Sequence, residues 1–282
     1  MAHYHLMHCI PNPKMHGLNG YIEVIKSVEW GLLQLGHSVS YAINQADNHG
    51  TNIIFGAQVI PIDFLKGLPD NSIIYNFEQM RGLKKNEVRP EVQYFADKFQ
   101  IWDYSPANED AWKMLSAERL KIIPVGYAPP LTRIPKLQTQ DIDVLIYGLS
   151  GPKRLTAFHH LNQAGLRVMF VSGFYGDTRD ELIARSKIIL NINLYDFAQI
   201  FEIVRVSYLL ANRKAVVATL DASTFIEADF INSIKFSSIE KLVEDCIKLL
   251  DDDSGRSTLE EKGFESFSKR GICEILQKAL DD

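Results

Sequence analysis

The chain has 282 residues, of which 46% are hydrophobic and 23% charged, a balance that excludes collagen-like, coiled-coil and disordered proteins. Lys and Arg number 30 and Asp and Glu 35, so the formal net charge is −5, which disfavours general nucleic-acid binding. Three cysteines without a CxxC pair disfavour a disulfide framework and a structural zinc site. The sequence shows neither a secretory signal nor an apolar run of membrane-spanning length, so we expect a cytoplasmic protein.

Short apolar runs alternate with amphipathic stretches in the first half of the chain. This alternation predicts a parallel sheet covered by helices on both faces. The predicted strands are Tyr4–Ile10, Ser38–Ile43, Asn52–Phe55, Ser72–Asn76, Phe99–Tyr104 and Lys121–Val125, and the predicted helices are Gly20–Leu35, Pro90–Lys98 and Asn108–Leu115.

A segment rich in proline and glutamine, Ala128–Ile142, lacks a sustained apolar period and is interpreted as a linker. A second alternating unit follows it. Its predicted strands are Val144–Tyr147, Arg167–Ser172, Lys187–Ile192 and Ala215–Ala218, and its predicted helices are Pro152–Gln163, Thr178–Ser186, Phe201–Leu210, Ile239–Leu250 and the tail Thr258–Leu280. The sequence therefore predicts two Rossmann-like α/β domains, residues 1–130 and 131–282, facing a central cleft, with the final helices able to pack back on the first domain.

The turn after strand Val144–Tyr147 is the first candidate site. Gly148 and Gly151 free the backbone, Ser150 lies between them, and Lys153 and Arg154 open the next helix. Basic residues at a helix N-terminus oppose the helix dipole, and a bound anion would reverse that cost. The turn is predicted to hold a diphosphate, and the alternative is a tight turn with two solvated cations.

The second candidate site is the helix Phe201–Leu210. Glu202, Arg205 and Tyr208 follow one another at three-residue spacing, which places them on one helix face. A carboxylate here could accept hydrogen bonds from sugar or ribose hydroxyls, and the guanidinium could hold phosphate. The alternative is an ordinary Glu–Arg ion pair on the helix surface.

Loops after first-half strands supply further candidates. His16 and Glu78 could each act as a general base, with an exposed loop histidine and an exposed glutamate as the alternatives. Gly17 would let the backbone approach a ligand closely. The same loops contain Asn19, Tyr104 and Asn108, of which Asn108 is equally well explained as a helix cap. The sequence lacks GxGxxG, GxxxxGK[ST] and GxSxG motifs, and Asp141-Ile142-Asp143 precedes a strand, so we treat its DxD pattern as chance and expect no metal site.

The second half resembles the donor-binding domain of GT-B glycosyltransferases of the group-1/family-4 type. The resemblance rests on Tyr147-Gly148 with Lys153-Arg154, on Phe174-Tyr175-Gly176, on Asp180-Glu181-Leu182-Ile183-Ala184, and on the run from Arg205 to Val217. Two positions depart from the family pattern: Tyr208 stands where the second glutamate is usual, and Arg213 replaces the turn glycine.

The resemblance implies a metal-independent transferase that needs no cofactor and moves a sugar from a nucleotide-diphosphate sugar to an acceptor hydroxyl on a glycan, a lipid-linked molecule or another compound. It leaves peripheral membrane contact and the oligomeric state open. The residues assigned to the donor are Gly148, Ser150, Lys153, Arg154, Tyr175, Glu202, Arg205 and Tyr208. The residues assigned to the acceptor are Gly17, Asn19, Tyr104 and Asn108, with His16 or Glu78 as the catalytic base of an inverting enzyme. The alternatives are a sugar-nucleotide epimerase or hydrolase of the same fold and a non-catalytic two-domain binding protein.

Overall fold

The computed structural model describes residues 1–12, 14, 16–194 and 199–281, and for residues 16–18 it describes the backbone alone. The chain forms two compact units. The first comprises Met1–Ala128 together with Arg270–Asp282, and the second comprises Pro129–Lys269. In the described ranges, no helix combines the length and the apolar character that crossing a bilayer requires.

The first unit is built on a parallel sheet of six strands in the order β2-β1-β3-β4-β5-β6. Its central strands are buried on both faces, which explains their continuous apolar sequences. The strands are β1 (His3–His8), β2 (Ser38–Ile43), β3 (Thr51–Phe55), β4 (Ile73–Asn76), β5 (Gln100–Asp103) and β6 (Leu120–Ile122). The helices are α1 (Ile22–Gln34), α2 (Ile62–Lys66), α3 (Pro90–Lys98), α4 (Glu109–Met114) and, from the end of the chain, α10 (Ile272–Asp281), with 3₁₀ turns at His16–Tyr21, Ala57–Val59, Lys85–Glu87, Pro106–Asn108 and Pro129–Leu131.

The second unit contains a parallel sheet of five strands in the order β11-β10-β9-β7-β8. The strands are β7 (Ile142–Tyr147), β8 (Val168–Val171), β9 (Ser186–Asn191), β10 (Ala215–Thr219) and β11 (Lys235–Ser237). The helices are α5 (Pro152–Gln163), α6 (Gly176–Ala184), α7 (Ile203–Ala211), α8 (Leu242–Asp251) and α9 (Asp253–Ser268), with a 3₁₀ turn at Ala228–Phe230.

Both sheets reverse their strand order once. The chain moves from β1 outward to β2 and then to β3 on the other side of β1, and it repeats this course with β7, β8 and β9. At such a reversal the connections leave two neighbouring strands in opposite directions, which opens a crevice at their carboxyl ends where α/β proteins bind ligands. The loops after β1 and β3, and those after β7 and β9, are therefore the places to look for sites.

The last helix completes the first unit, because α10 packs against α1. A Cβ atom added at Gly126 would lie 2.9 Å from the backbone atom Ile272 Cα, so glycine is required there, and one added at Gly31 would lie 2.8 Å from Leu276 Cδ1 and would displace that side chain. The backbone N–H of Ile272 also donates to the carbonyl of Tyr127 at 2.9 Å.

The sequence predicted the α/β class, and two parallel sheets flanked by helices confirm it. Three elements differ from the predictions. Helix α6 begins at Gly176 rather than at Thr178, with Tyr175 as N-cap and no side-chain capping bond. The short elements α2 and β11 were not predicted, because neither is long enough to show a hydrophobic period.

Candidate functional site

The crevice after β7 and β9 in the second unit brings together most of the residues predicted to bind phosphate. The turn after β7 begins at Gly148, whose φ of 120° favours glycine. A Cβ atom at this position would lie 3.0 Å from Arg154 Nη1 and 3.0 Å from Arg205 Nη2, so both guanidinium groups lie directly beside the turn. In the part of the chain that the structure describes, the N–H groups of residues 149, 150 and 151 donate no hydrogen bond to protein.

One carboxylate, that of Glu202, lies close to the guanidinium groups of both Arg154 and Arg205. Glu202 stands at the N-cap of α7, with Oε1 3.5 Å from Arg154 Nη2 and Oε2 3.2 Å from Arg205 Nη1. The Arg205 guanidinium carbon also lies 5.5 Å from the centre of the Tyr147 ring, which is a cation–π contact. The side chains of Arg154, Arg205 and Glu202 together carry two positive charges and one negative charge, a net charge of +1. The crevice therefore combines unpaired amides with excess positive charge, which suits an anion.

Arg154 holds the crevice together from inside the protein. Its side chain is 1% exposed, Nε donates to the carbonyl of Ile192 at 2.8 Å, and Nη1 donates to the carbonyl of Leu149 at 2.9 Å. The sequence prediction treated Arg154 as one of two accessible cations at a helix start. The structure corrects that view, because this guanidinium links the loops after β7 and β9, and Arg205, with 25% side-chain exposure, is the more accessible arginine.

Tyr208 does not join this cluster, although the spacing from Arg205 predicted that it would. Its hydroxyl donates to Asp180 Oδ2 at 2.8 Å, and its ring lies 4.6 Å from the Arg179 guanidinium and 5.2 Å from that of Arg133. Burial alone would raise the pKa of Asp180, but the charge and hydrogen bond of Arg179 outweigh it and lower the pKa. Because Tyr208 is 2% exposed and fully engaged here, it packs the second unit rather than facing a ligand.

Two predicted donor residues lie at the rim of the second unit's sheet. Ser150 is exposed in the turn after β7, and Tyr175 is half-buried at the N-cap of α6. The DxD carboxylates are engaged elsewhere, because Asp143 contacts Arg167 at 2.7 Å and Asp141 contacts Arg185 at 2.5 Å. Across the described ranges, no three side chains of His, Cys, Asp or Glu are grouped as a metal site would require.

In the first unit, residues that follow β1 and β3 hydrogen-bond to one carboxylate that follows β4. Glu78 follows β4, and its Oε1 accepts hydrogen bonds from the Tyr21 hydroxyl at 2.9 Å and from Gln58 Nε2 at 2.7 Å. Burial, followed by the Glu78 charge, raises the pKa of Tyr21 well above its usual range, so the phenol remains a donor. Glu78 is exposed and oriented by two neighbours, which fits a general base. The sequence analysis missed Tyr21 and Gln58, although both follow the strands that flank the reversal.

A buried network fixes the backbone of Glu78. Asn108 is fully buried, and its Nδ2 donates to the Glu78 carbonyl at 2.9 Å while its Oδ1 accepts from the Met80 N–H at 2.7 Å. Asn108 Nδ2 also contacts the carboxylate of Asp103, which in turn accepts from Trp112 Nε1 at 2.6 Å. Burial raises the pKa of Asp103 to about 6 despite these donors.

This network corrects the acceptor assignments of two residues. Asn108 positions the Glu78 loop and presents no polar atom to an acceptor, and Tyr104 is 3% exposed beside Phe77. Asn19 is half-buried in the 3₁₀ turn His16–Tyr21. The predictions for the side chain of His16 and for Gly17 concern positions that lie outside the described residues.

Comparisons with known proteins decide the fold. The structure of HepE from Anabaena, solved with UDP and glucose, is similar with a TM-score of 0.66 and 12% identity, over 100% of this chain and 99% of that chain. WaaG, a glycosyltransferase of lipopolysaccharide biosynthesis, is similar with a TM-score of 0.58 and 14% identity, over 99% of this chain and 98% of that one. This chain has the GT-B glycosyltransferase fold. The predicted fold is thereby confirmed.

Two further proteins are similar to this chain, one by structure and one by sequence. AviGT4, a glycosyltransferase of avilamycin A biosynthesis, is similar with a TM-score of 0.57 and 14% identity, over 100% of this chain and 96% of that chain. Among curated proteins, uncharacterized protein L140 of Acanthamoeba polyphaga mimivirus is 25% identical over 186 residues, which span 64% of this chain and 59% of that protein. No family model matches the sequence.

Proposed function

We propose that this GT-B chain is a glycosyltransferase that takes a nucleotide-diphosphate sugar as donor. The observation that carries the proposal is the crevice after β7 and β9, where Arg154, Arg205 and three unpaired amides surround Gly148. HepE, which shares the fold, has been solved with UDP and with UDP-glucose. The donor's two phosphates would lie on the turn, next to Arg205 and Lys153.

In the proposed reaction, the bond between the sugar C1 and the β-phosphate oxygen breaks, and a bond forms between C1 and the acceptor oxygen. The nucleoside diphosphate leaves with the negative charge, which the amides and guanidinium groups stabilise without a metal or another cofactor. The acceptor hydroxyl loses its proton. In an inverting enzyme, Glu78 would take this proton, whereas in a retaining enzyme an oxygen of the leaving diphosphate would take it and no base from the protein is needed.

The acceptor in this proposal is a hydroxyl of a glycan, a lipid-linked molecule or another compound. We place the enzyme in the cytoplasm, where nucleotide sugars are made, with peripheral membrane contact in the case of a lipid-linked acceptor.

The test is incubation with a panel of UDP-, GDP-, ADP- and dTDP-sugars, with and without acceptor sugars, followed by measurement of the released nucleoside diphosphate. Release that depends on an acceptor supports the transferase. Release without acceptor identifies a hydrolase, interconversion of sugars without release identifies an epimerase, and binding without any turnover identifies a binding protein. Parallel assays with EDTA test metal independence.

Arg205→Ala tests the phosphate contact, with Arg213→Ala as the matched control. Arg213 lies just beyond the other end of α7 and pairs with Glu261 at 3.1 Å. Loss of a charge-assisted hydrogen bond is worth about 1.5–3 kcal/mol, so Arg205→Ala should weaken nucleoside diphosphate binding about 10- to 100-fold in calorimetry. Equal affinities for the two variants would contradict the proposed site.

A further inference from the structure

Among the residues that the structure describes, two buried asparagines next to the phosphate crevice have no hydrogen-bond partner. Asn191 is the last residue of β9 and is 0% exposed, and Asn193 follows two residues later and is 2% exposed. Neither the Oδ1 nor the Nδ2 atom of either side chain is hydrogen-bonded to a described residue. A buried carboxamide without partners costs free energy, so a folded protein keeps one only for a reason.

Strand alternation places the Asn191 side chain on the face of the sheet opposite to the apolar cluster. Ile188 and Leu190 belong to that cluster, so the alternate residue Asn191, at the carboxyl end of β9, lies on the other face, and Asn193 follows just beyond the strand. Leu190 pairs with Ile146 in β7, which places Asn191 beside Tyr147, the residue under the Arg205 guanidinium.

The residue between the two asparagines anchors this segment to the crevice. Ile192 accepts the hydrogen bond from Arg154 Nε, and the same guanidinium contacts Glu202. Both carboxamides are thus attached to the backbone segment that the phosphate crevice is built on, at the point where the strand order reverses.

The chemistry of the two side chains differs from that of the rest of the crevice. A diphosphate needs donors alone, and arginine and backbone amides supply them. A carboxamide donates through Nδ2 and accepts through Oδ1, which matches hydroxyl groups that do both. In a nucleotide sugar, two groups with hydroxyls are attached to the diphosphate, the ribose at the α-phosphate and the glycosyl unit at the β-phosphate, and the glycosyl unit is the richer in hydroxyls.

We propose that Asn191 and Asn193 bind hydroxyl groups of the transferred sugar and so determine which sugar the enzyme accepts. This inference rests on the proposed function and assigns the sugar end of the same site. Sugar binding would then supply hydrogen-bond partners to the carboxamides of Asn191 and Asn193, which have none among the described residues.

The test replaces each asparagine by leucine, which has a similar shape and no polar atoms, and measures thermal stability and the affinities for UDP and UDP-glucose. The matched control is Asn212→Leu in the same unit. Asn212 is equally buried but fully bonded, with Oδ1 accepting from the N–H groups of Arg133 and Ile134 and Nδ2 donating to the carbonyls of Leu131 and Tyr208.

We expect Asn191→Leu and Asn193→Leu to melt at the wild-type temperature or above it, whereas Asn212→Leu should melt much lower or not fold. Each of the first two variants should lose about tenfold in affinity for UDP-glucose and keep its affinity for UDP. If the wild type prefers another nucleotide, its diphosphate and its sugar conjugate replace the UDP pair.

Three results would overturn the inference. Melting of Asn191→Leu and Asn193→Leu as low as that of Asn212→Leu would make the asparagines structural, and equal losses for UDP and UDP-glucose would assign them to the nucleoside. Unchanged affinities for both ligands would remove them from the site while leaving the proposed function intact. Absence of binding by the wild type to every nucleotide and nucleotide sugar of the panel would instead refute the proposed function itself, and the inference with it.

Discussion

Replacing Arg154 by alanine should destabilise the second unit far more than replacing its neighbour Lys153 by alanine. The substitution removes the donor to two backbone carbonyls, those of Leu149 and Ile192, and the cation 3.5 Å from Glu202. Each unsatisfied buried acceptor costs about 1–3 kcal/mol, and breaking a buried ion pair costs about 3–5 kcal/mol. These contributions overlap, because they belong to one side chain.

We therefore expect Arg154→Ala to lower the free energy of unfolding by about 4 kcal/mol and the melting temperature by about 10–15 °C. Lys153 is half-buried whereas the Arg154 side chain is 1% exposed, so Lys153→Ala should cost no more than about 1 kcal/mol. Urea unfolding, monitored by circular dichroism, measures the change in the free energy of unfolding for each variant. Calorimetry with a nucleoside diphosphate measures binding. If the two variants unfold at the same denaturant concentration, Arg154 does not hold the crevice together and our account of it is wrong.

Three further predictions address charge and pH. Glu202→Gln should lower the free energy of unfolding by about 1–2 kcal/mol relative to the wild type, because the guanidinium groups of Arg154 and Arg205 then share no carboxylate. Chemical denaturation measures this difference. Glu78→Gln should reduce turnover at least tenfold at unchanged donor affinity if the enzyme inverts, as steady-state kinetics would reveal. The pKa of Asp103 rises from 3.8 in the unfolded chain to about 6, so its contribution to stability is full below pH 4 and is lost as the pH rises through 6. The stability difference between the wild type and Asp103→Asn should therefore shrink by up to about 3 kcal/mol from pH 4 to pH 7; a constant difference would contradict this.

The sequence was a good guide wherever one period or one spacing decided the structure. Pro90–Lys98 and Pro152–Gln163 form helices with the predicted bounds, because a proline at the first helical position marks the start of each. The three-residue spacing of Glu202 and Arg205 also predicted their ion pair.

Features that depend on tertiary structure escaped the sequence. Lys153 and Arg154 look alike in the chain, and only the position of α5 over Ile192 buries one of them. Asn191 lies near the end of the predicted strand Lys187–Ile192 and Asn193 just beyond it, and the sequence shows neither their burial nor the absence of partners among the described residues. Their role as site candidates follows from burial without bonding, which no local pattern encodes.

The packing of α10 against α1 has a consequence for the order in which the protein is made. The second unit is one continuous stretch of chain, whereas the first unit consists of two stretches separated by the whole of the second. On the ribosome, the residues that Gly31 and Gly126 accommodate, Ile272 and Leu276, emerge after the whole of the second unit. One side of α1 therefore stays uncovered while the second unit folds. The first unit, whose synthesis begins earlier, completes its folding later.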